Sequence, residues 1–247
     1  MAFKRLDPQD FVISADSVTA PLWTNNVYTL TQFYSSSVQA AGSSGQFYLN
    51  VYQTESSDST AEIQFAISYA NKYGSGSEWY NDNVDGASPS RTIYGQYRNL
   101  VLGDEYSDFI FNGVTSSDFW VISIDRNRYK QSLLPGSLTL GLSYAGDKLS
   151  LTDNSQIAPS VIFNDAGRVY QLVSGSAGQV VDIFSNGGYT FNSGSYGWFL
   201  PDIATLIINP LATGAPAASG GIALNPNRSS NTLTDNFTRL FDALNNF

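Results

Sequence analysis

The sequence predicts a mainly β protein: β-sandwich or barrel-like sheets, two or three short helices and an extended N-terminal arm. Three observations carry this. Tyr and Phe number fifteen each beside four Trp, in a chain that is 42% hydrophobic, and aromatic residues favour strands. Only 13% of residues are charged, about half the usual roughly 25%. Ser, Thr, Asn and 21 Gly stand in their place, which is turn chemistry. Apolar residues also recur at every second position in several short runs, the period of a half-buried strand. At 247 residues the chain spans one to two domains and can bury a sizeable core.

Taken in order, residues 1–26 read as an extended docking arm. Asp7-Pro8 and Ala20-Pro21 hold it open, because the residue before a proline is pushed to extended backbone. Phe3, Arg5, Phe11 and Trp23 are its candidate contacts, against either the chain's own body or a neighbouring subunit. Residues 27–208 form a β-rich core. Gln46 to Gln53 alternates, and so does Glu62 to Ala70, where Ile63, Phe65, Ile67 and Tyr69 face one way. Lys72 to Ser90 is a long Gly/Ser loop. Arg91 to Leu102 has helical spacing at Ile93, Tyr97, Leu100 and Val101, and Gly103 closes it. Phe119 to Ile124 is a strand, and Asn127 to Leu134 one helical turn. Ser137 to Leu142 pairs with Lys148 to Thr152 across Ala145-Gly146-Asp147. Further strands fall at Arg168 to Val173, Val180 to Phe184 and Tyr196 to Leu200, with a mixed apolar run at Ile203 to Ile208. Residues 209–229, rich in Pro, Gly and Ala, read as a flexible linker with a short strand at Ile222 to Leu224. Residues 230–247 read as an amphipathic helix whose stripe is Leu233, Phe237, Leu240, Phe241 and Leu244.

Composition excludes whole classes of chemistry. The chain has no His and no Cys, which removes Ser-His-Asp and Cys-His nucleophile systems, Cys/His zinc sites, iron–sulfur clusters and His-ligated haem. The net charge of −9 disfavours nucleic-acid backbones and anionic membrane. No window approaches the roughly 18 apolar residues of a membrane span, and the first residues lack the apolar core of a signal peptide. The expectation is a non-enzymatic protein with no cofactor and no metal.

The remaining candidates divide between a functional and a plain reading. Asn81 to Gly86 has the oxygen spacing of a calcium loop, but Asn81 stands at its first position and Thr92 at its twelfth, so a solvated turn is the better reading. Of the four Glu, Glu78 beside Trp79 and Tyr80 is the one a sugar site would want; the same trio also fits an exposed loop with a docking aromatic. The Gly-rich stretches at 74–77 and 175–178 lack the Gly-Lys-Ser/Thr of a phosphate loop. Arg126, Arg128 and Lys130 form the basic cluster of an acidic chain, either a solvated face with local ion pairs or a knob for an acidic neighbour. The stripe Phe237, Leu240, Phe241 and Leu244 is either an internal packing face or a partner interface.

Several long strings carry a resemblance. They are Phe3 to Ser14, Ile93 to Gly103, Asp125 to Leu140, Phe163 to Leu172 and Asn192 to Ile203. In this order they resemble a family of virion structural proteins from T4-like marine contractile-tailed phages, cyanophages above all. The resemblance implies a non-enzymatic part of the virion, in the tail or baseplate, a homo-oligomer or multi-copy assembly among other virion proteins, made in the host cytoplasm. It transfers no catalytic residue. Members of that family run on past the terminal helix into a further β segment, and relative to them this chain stops at the helix. A capsid or neck component, or a glycan-binding module of the tail, are the alternatives.

Overall fold

The computed structural model describes residues 32–35, 47–77, 88–129, 131–158, 160–181, 188, 193–229 and 234–247. The strands before the first helix are β1 (Tyr34–Ser35), β2 (Leu49–Tyr52) and β3 (Ile63–Asn71). Helix α1 (Pro89–Leu102) leads to β4 (Phe109–Phe111), β5 (Val114–Ser116) and β6 (Asp118–Ile124). After a 3-10 turn at Arg126–Arg128 come β7 (Leu140–Tyr144), β8 (Asp147–Asp153), β9 (Ile162–Asn164), β10 (Gly167–Ser176) and β11 (Gln179–Val180). The chain finishes with β12 (Gly197–Leu200), β13 (Thr205–Ile208), α2 (Pro210–Thr213) and α3 (Thr234–Asn245). The protein is mainly β, as the sequence predicts.

One antiparallel sheet organises everything. Its order is β1-β2-β3-β6-β13-β12-β10-β8-β7, with β9 and β11 also pairing on β10. Register places Phe65 opposite Ile124, Ile67 opposite Ile122 and Tyr69 opposite Trp120. Leu206 and Ile208 continue that face across β13. Because side chains alternate between faces, Phe119 and Val121 lie on the other side, with Trp198 of β12 in the same row.

Each face has its own cover. On the Phe119 face, Tyr94 of α1 packs 5.3 Å from the Phe119 ring, and Phe109 of the β4–β5 hairpin lies 4.4 Å from it. Phe111 meets Trp198 edge-on at 5.2 Å. On the Trp120 face lies α3, whose Asn236 carbonyl accepts the Trp120 Nε1–H at 3.1 Å. Helix α3 packs against both β3 and β7, which stand far apart in the strand order. One helix touches both only if the sheet curls around it, so the sheet is a half-barrel with α3 in its mouth. The largest fully buried side chains, among them Trp120, Tyr69, Phe119, Phe199 and Phe237, come from both faces.

Local sequence explains most boundaries. Pro89 opens α1, where its missing N–H costs nothing, so the helix starts two residues before the apolar spacing shows it. Gly103 takes φ +72° at its end and donates to Asn99 O. Ala145 (φ +53°) and Gly146 (φ +93°) close the β7–β8 hairpin. The sequence reading does not anticipate β4–β5, although Asn112 (φ +48°) and Gly113 (φ +85°) are a strong hairpin turn.

The structure differs from expectation at 209–229. This stretch is packed, not a free linker. Asn209 caps α2 through its side chain, and its Nδ2 donates to the carbonyls of Ser193 and Ser195. Ile222 and Leu224 are buried and donate their N–H groups to Thr213 O, in place of a strand at that position. Pro and Gly here shape a compact turn whose polar backbone is satisfied internally. The expected turn at Asn127 to Leu134 is also shorter, confined to Arg126–Arg128, and Val180 to Phe184 is strand only through Val180 among the described residues.

Candidate interaction surface

Strand β6 enters the sheet at Asp118, whose side chain is 1% exposed. It accepts the Tyr69 hydroxyl at 2.8 Å, and Arg228 Nε and Nη2 at 2.7 and 3.1 Å. Beside it, buried Asn236 donates to Gly76 O and Asn227 O and accepts Asn227 N–H. Together these groups rivet the segment before α3, and α3 itself, to the sheet. Burial and the neighbouring Asp118 charge push the Tyr69 hydroxyl far above its ordinary value, so it serves as a neutral donor.

A second polar cluster closes the base of the long loop. Ser77 Oγ lies 2.6 Å from Ser88 Oγ and 2.8 Å from Ser90 Oγ. Ser88 donates to Gly74 O and Ser90 to Ser75 O. The hydroxyls tie the end of β3 to the start of α1. Glu78, Trp79 and Tyr80, and the oxygen-rich turn Asn81 to Gly86, lie outside the described residues. Phe3, Arg5, Phe11, Trp23 and Lys130 lie outside them as well.

The other sequence-predicted contacts are placed clearly. Arg128 Nη1 pairs with Glu62 Oε2 at 2.7 Å. Arg126 donates to Tyr129 O at 2.7 Å and stands 4.7 Å over the Tyr129 ring. Arg126 and Arg128 are thus engaged in contacts within the chain. Phe237, Leu240 and Leu244 are buried in the chain's own core, and Phe241 is partly buried against it. For Phe237, Leu240 and Leu244 that corrects the reading as a partner interface: the curled sheet covers them within the chain.

What the sequence reading missed lies at β9. Val161, Ile162 and Phe163 are 45%, 57% and 68% exposed, three consecutive apolar residues that lead into and form most of β9, a strand paired among the described residues to β10 alone. No charged residue occurs between Asn154 and Asn164. That uncharged run, apolar without alternation, is the signal in the sequence that points to it. Near the opposite edge, a shallow groove of about 410 Å³ is lined by Phe33, Tyr34, Ser35, Glu55, Ser56, Ser57 and Phe241.

The remaining perturbed groups belong to the frame. Arg168 donates to Asp202 through its backbone N–H, Nε and Nη2, which holds the Asp202 carboxyl below the usual carboxylate range. Burial pushes the Tyr196 hydroxyl up to about 12, and burial with the Asp108 charge does the same to Tyr94. Among the described residues no group of His, Cys, Asp and Glu is arranged to hold a metal, and no helix is long and apolar enough to cross a membrane. Comparison with known proteins finds no matching family model, no similar curated protein and no similar solved structure.

Proposed function

We propose that this chain is a non-enzymatic structural protein that works through contacts with other protein subunits, and that it belongs to a phage virion, in the tail or baseplate. The observation that supports the contact role is the uncharged apolar run Val161 to Phe163, exposed on an open sheet edge. Contiguous apolar surface is disfavoured in water and is the kind of surface that a partner covers. The virion placement rests on the resemblance of the strings between Phe3 and Ile203. Electron microscopy of virions carrying a gold label on this chain tests it. Label on the tail is expected. Label on the head or neck contradicts the tail placement, and particles without label contradict the virion role.

A second reading, glycan binding by the tail, is favoured by the groove beside β1. Phe33, Tyr34 and Phe241 supply aromatic faces there, and Glu55, Ser56 and Ser57 supply polar groups, the combination that stacks and hydrogen-bonds a sugar. A glycan array read with the native chain and with Tyr34→Ala decides it: binding lost in the variant favours this reading, and no binding removes it.

A further inference from the structure

The β9 edge is open in its backbone as well as its side chains. In the β9–β10 ladder, Ile162 stands opposite Val169, Phe163 opposite Arg168 and Asn164 opposite Gly167. Opposite residues in an antiparallel pair alternate between exchanging two hydrogen bonds and exchanging none. The Arg168 N–H is directed to Asp202 Oδ2 at 2.8 Å, beyond the end of β12, whereas the N–H of Gln171, of the opposite parity, turns toward Asn154 beside β8. Phe163 therefore occupies a non-bonded pair, and its N–H and C=O point away from β10. Among the described residues no strand or backbone group pairs with them. Sheet edges are normally blunted by charged residues, Lys above all. This one carries none from Asn154 to Asn164.

We infer that β9 is a docking edge that takes an extended, uncharged apolar segment of another protein as an added strand. The inference rests on the subunit-contact reading and names its mode and partner. Size separates a strand from a second copy. The exposed side chains of Val161 to Phe163 offer roughly 300 Å², well short of the about 800 Å² per partner of a stable interface between globular bodies. An added strand draws instead on main-chain hydrogen bonds and on contacts to alternate side chains. Charge points the same way. Two copies at −9 each repel, and a neutral edge holds no opposite charge to offset that repulsion or to attract a charged peptide.

The test is a nuclear magnetic resonance titration of the isotope-labelled full chain with an uncharged peptide of alternating Thr and Val, blocked at both ends. A peptide with Glu in place of Val is the control. The expected result is a shift of the Phe163 amide, its protection from hydrogen exchange, and peptide-to-β9 contacts, none of them with the control. Phe163→Pro removes the outward N–H without touching a β10 bond and should weaken binding about tenfold, the effect of one hydrogen bond. If that variant does not fold, Ile162→Lys, which charges the edge, should give the same loss. A Phe163 amide already protected in the isolated chain overturns the inference, as does concentration-dependent self-association through β9, or no shift at millimolar peptide. Gold label on the virion with no peptide binding removes the strand docking alone. Peptide binding with unlabelled virions removes the virion role alone.

Discussion

At the residue scale, the buried polar groups hold separate elements together. Asp118 is the clearest case, since its carboxylate joins Tyr69 of β3 to Arg228 before α3. Asp118→Ala leaves a buried hydroxyl without its acceptor and a guanidinium without its partner. It should cost about 3 kcal/mol in urea unfolding. Adding Tyr69→Phe should cost little more, because the orphaned donor is then gone. Asp202 makes a pH prediction. Its folded value is depressed by the Arg168 hydrogen bonds, so the pair contributes fully above the unfolded carboxylate value of about 3.9, and that contribution is lost as pH falls through the lower folded value. Asp202→Asn should therefore be less stable at neutral pH by about 1 kcal/mol. Its stability should also vary less with acid below about pH 4. Chemical denaturation at a series of pH values checks both.

At the element scale, α3 separates two readings that the sequence leaves open. Its stripe of Phe237, Leu240, Phe241 and Leu244 is equally what an interface or a core helix requires. The structure places Leu240 at 0% exposure, inside the curl of the sheet. Leu240→Ala should destabilise the isolated chain by about 2–5 kcal/mol, measured by thermal or urea unfolding with no partner present. A stripe reserved for a partner would leave that stability unchanged. The strands are the part most legible in the sequence. Phe65, Ile67 and Tyr69 alternate with Ala66 and Ser68 because their side of β3 is buried and the other only partly covered, and Phe119 to Ile122 is apolar without a break because both faces of β6 are buried there. The stretch 209–229 is not legible, since Pro and Gly signal a turn and do not say whether that turn packs. Asn209 and Thr213, whose backbone and side chains close it, are 0% exposed, and only the three-dimensional neighbours reveal that.

At the scale of the whole molecule, what escapes the sequence is curvature and its consequences. Alternation assigns a residue to a face but does not say how far the sheet turns, so the enclosure of α3 between β3 and β7 has no local signature. For the same reason, the uncharged run Val161 to Phe163 marks an apolar strand in the sequence without saying whether it is covered, and only the strand order shows that nothing described lies beyond it. The composition takes on a physical meaning here. A chain with 13% charged residues has few charges with which to guard its edges, and the one at β9 is left bare. The acidic balance of −9 then limits which partners can approach, and favours neutral ones.

The most direct test of that account is incorporation of Phe163→Ser chain into assembled virions, measured against wild type by quantitative mass spectrometry, with the melting temperature of each isolated chain measured alongside. Phe163 is exposed, so the variant should melt within about 2 °C of wild type, as surface substitutions do. It should nonetheless be depleted from the particles. A variant that folds normally and enters virions at the wild-type level would contradict the claim that the chain works through this edge.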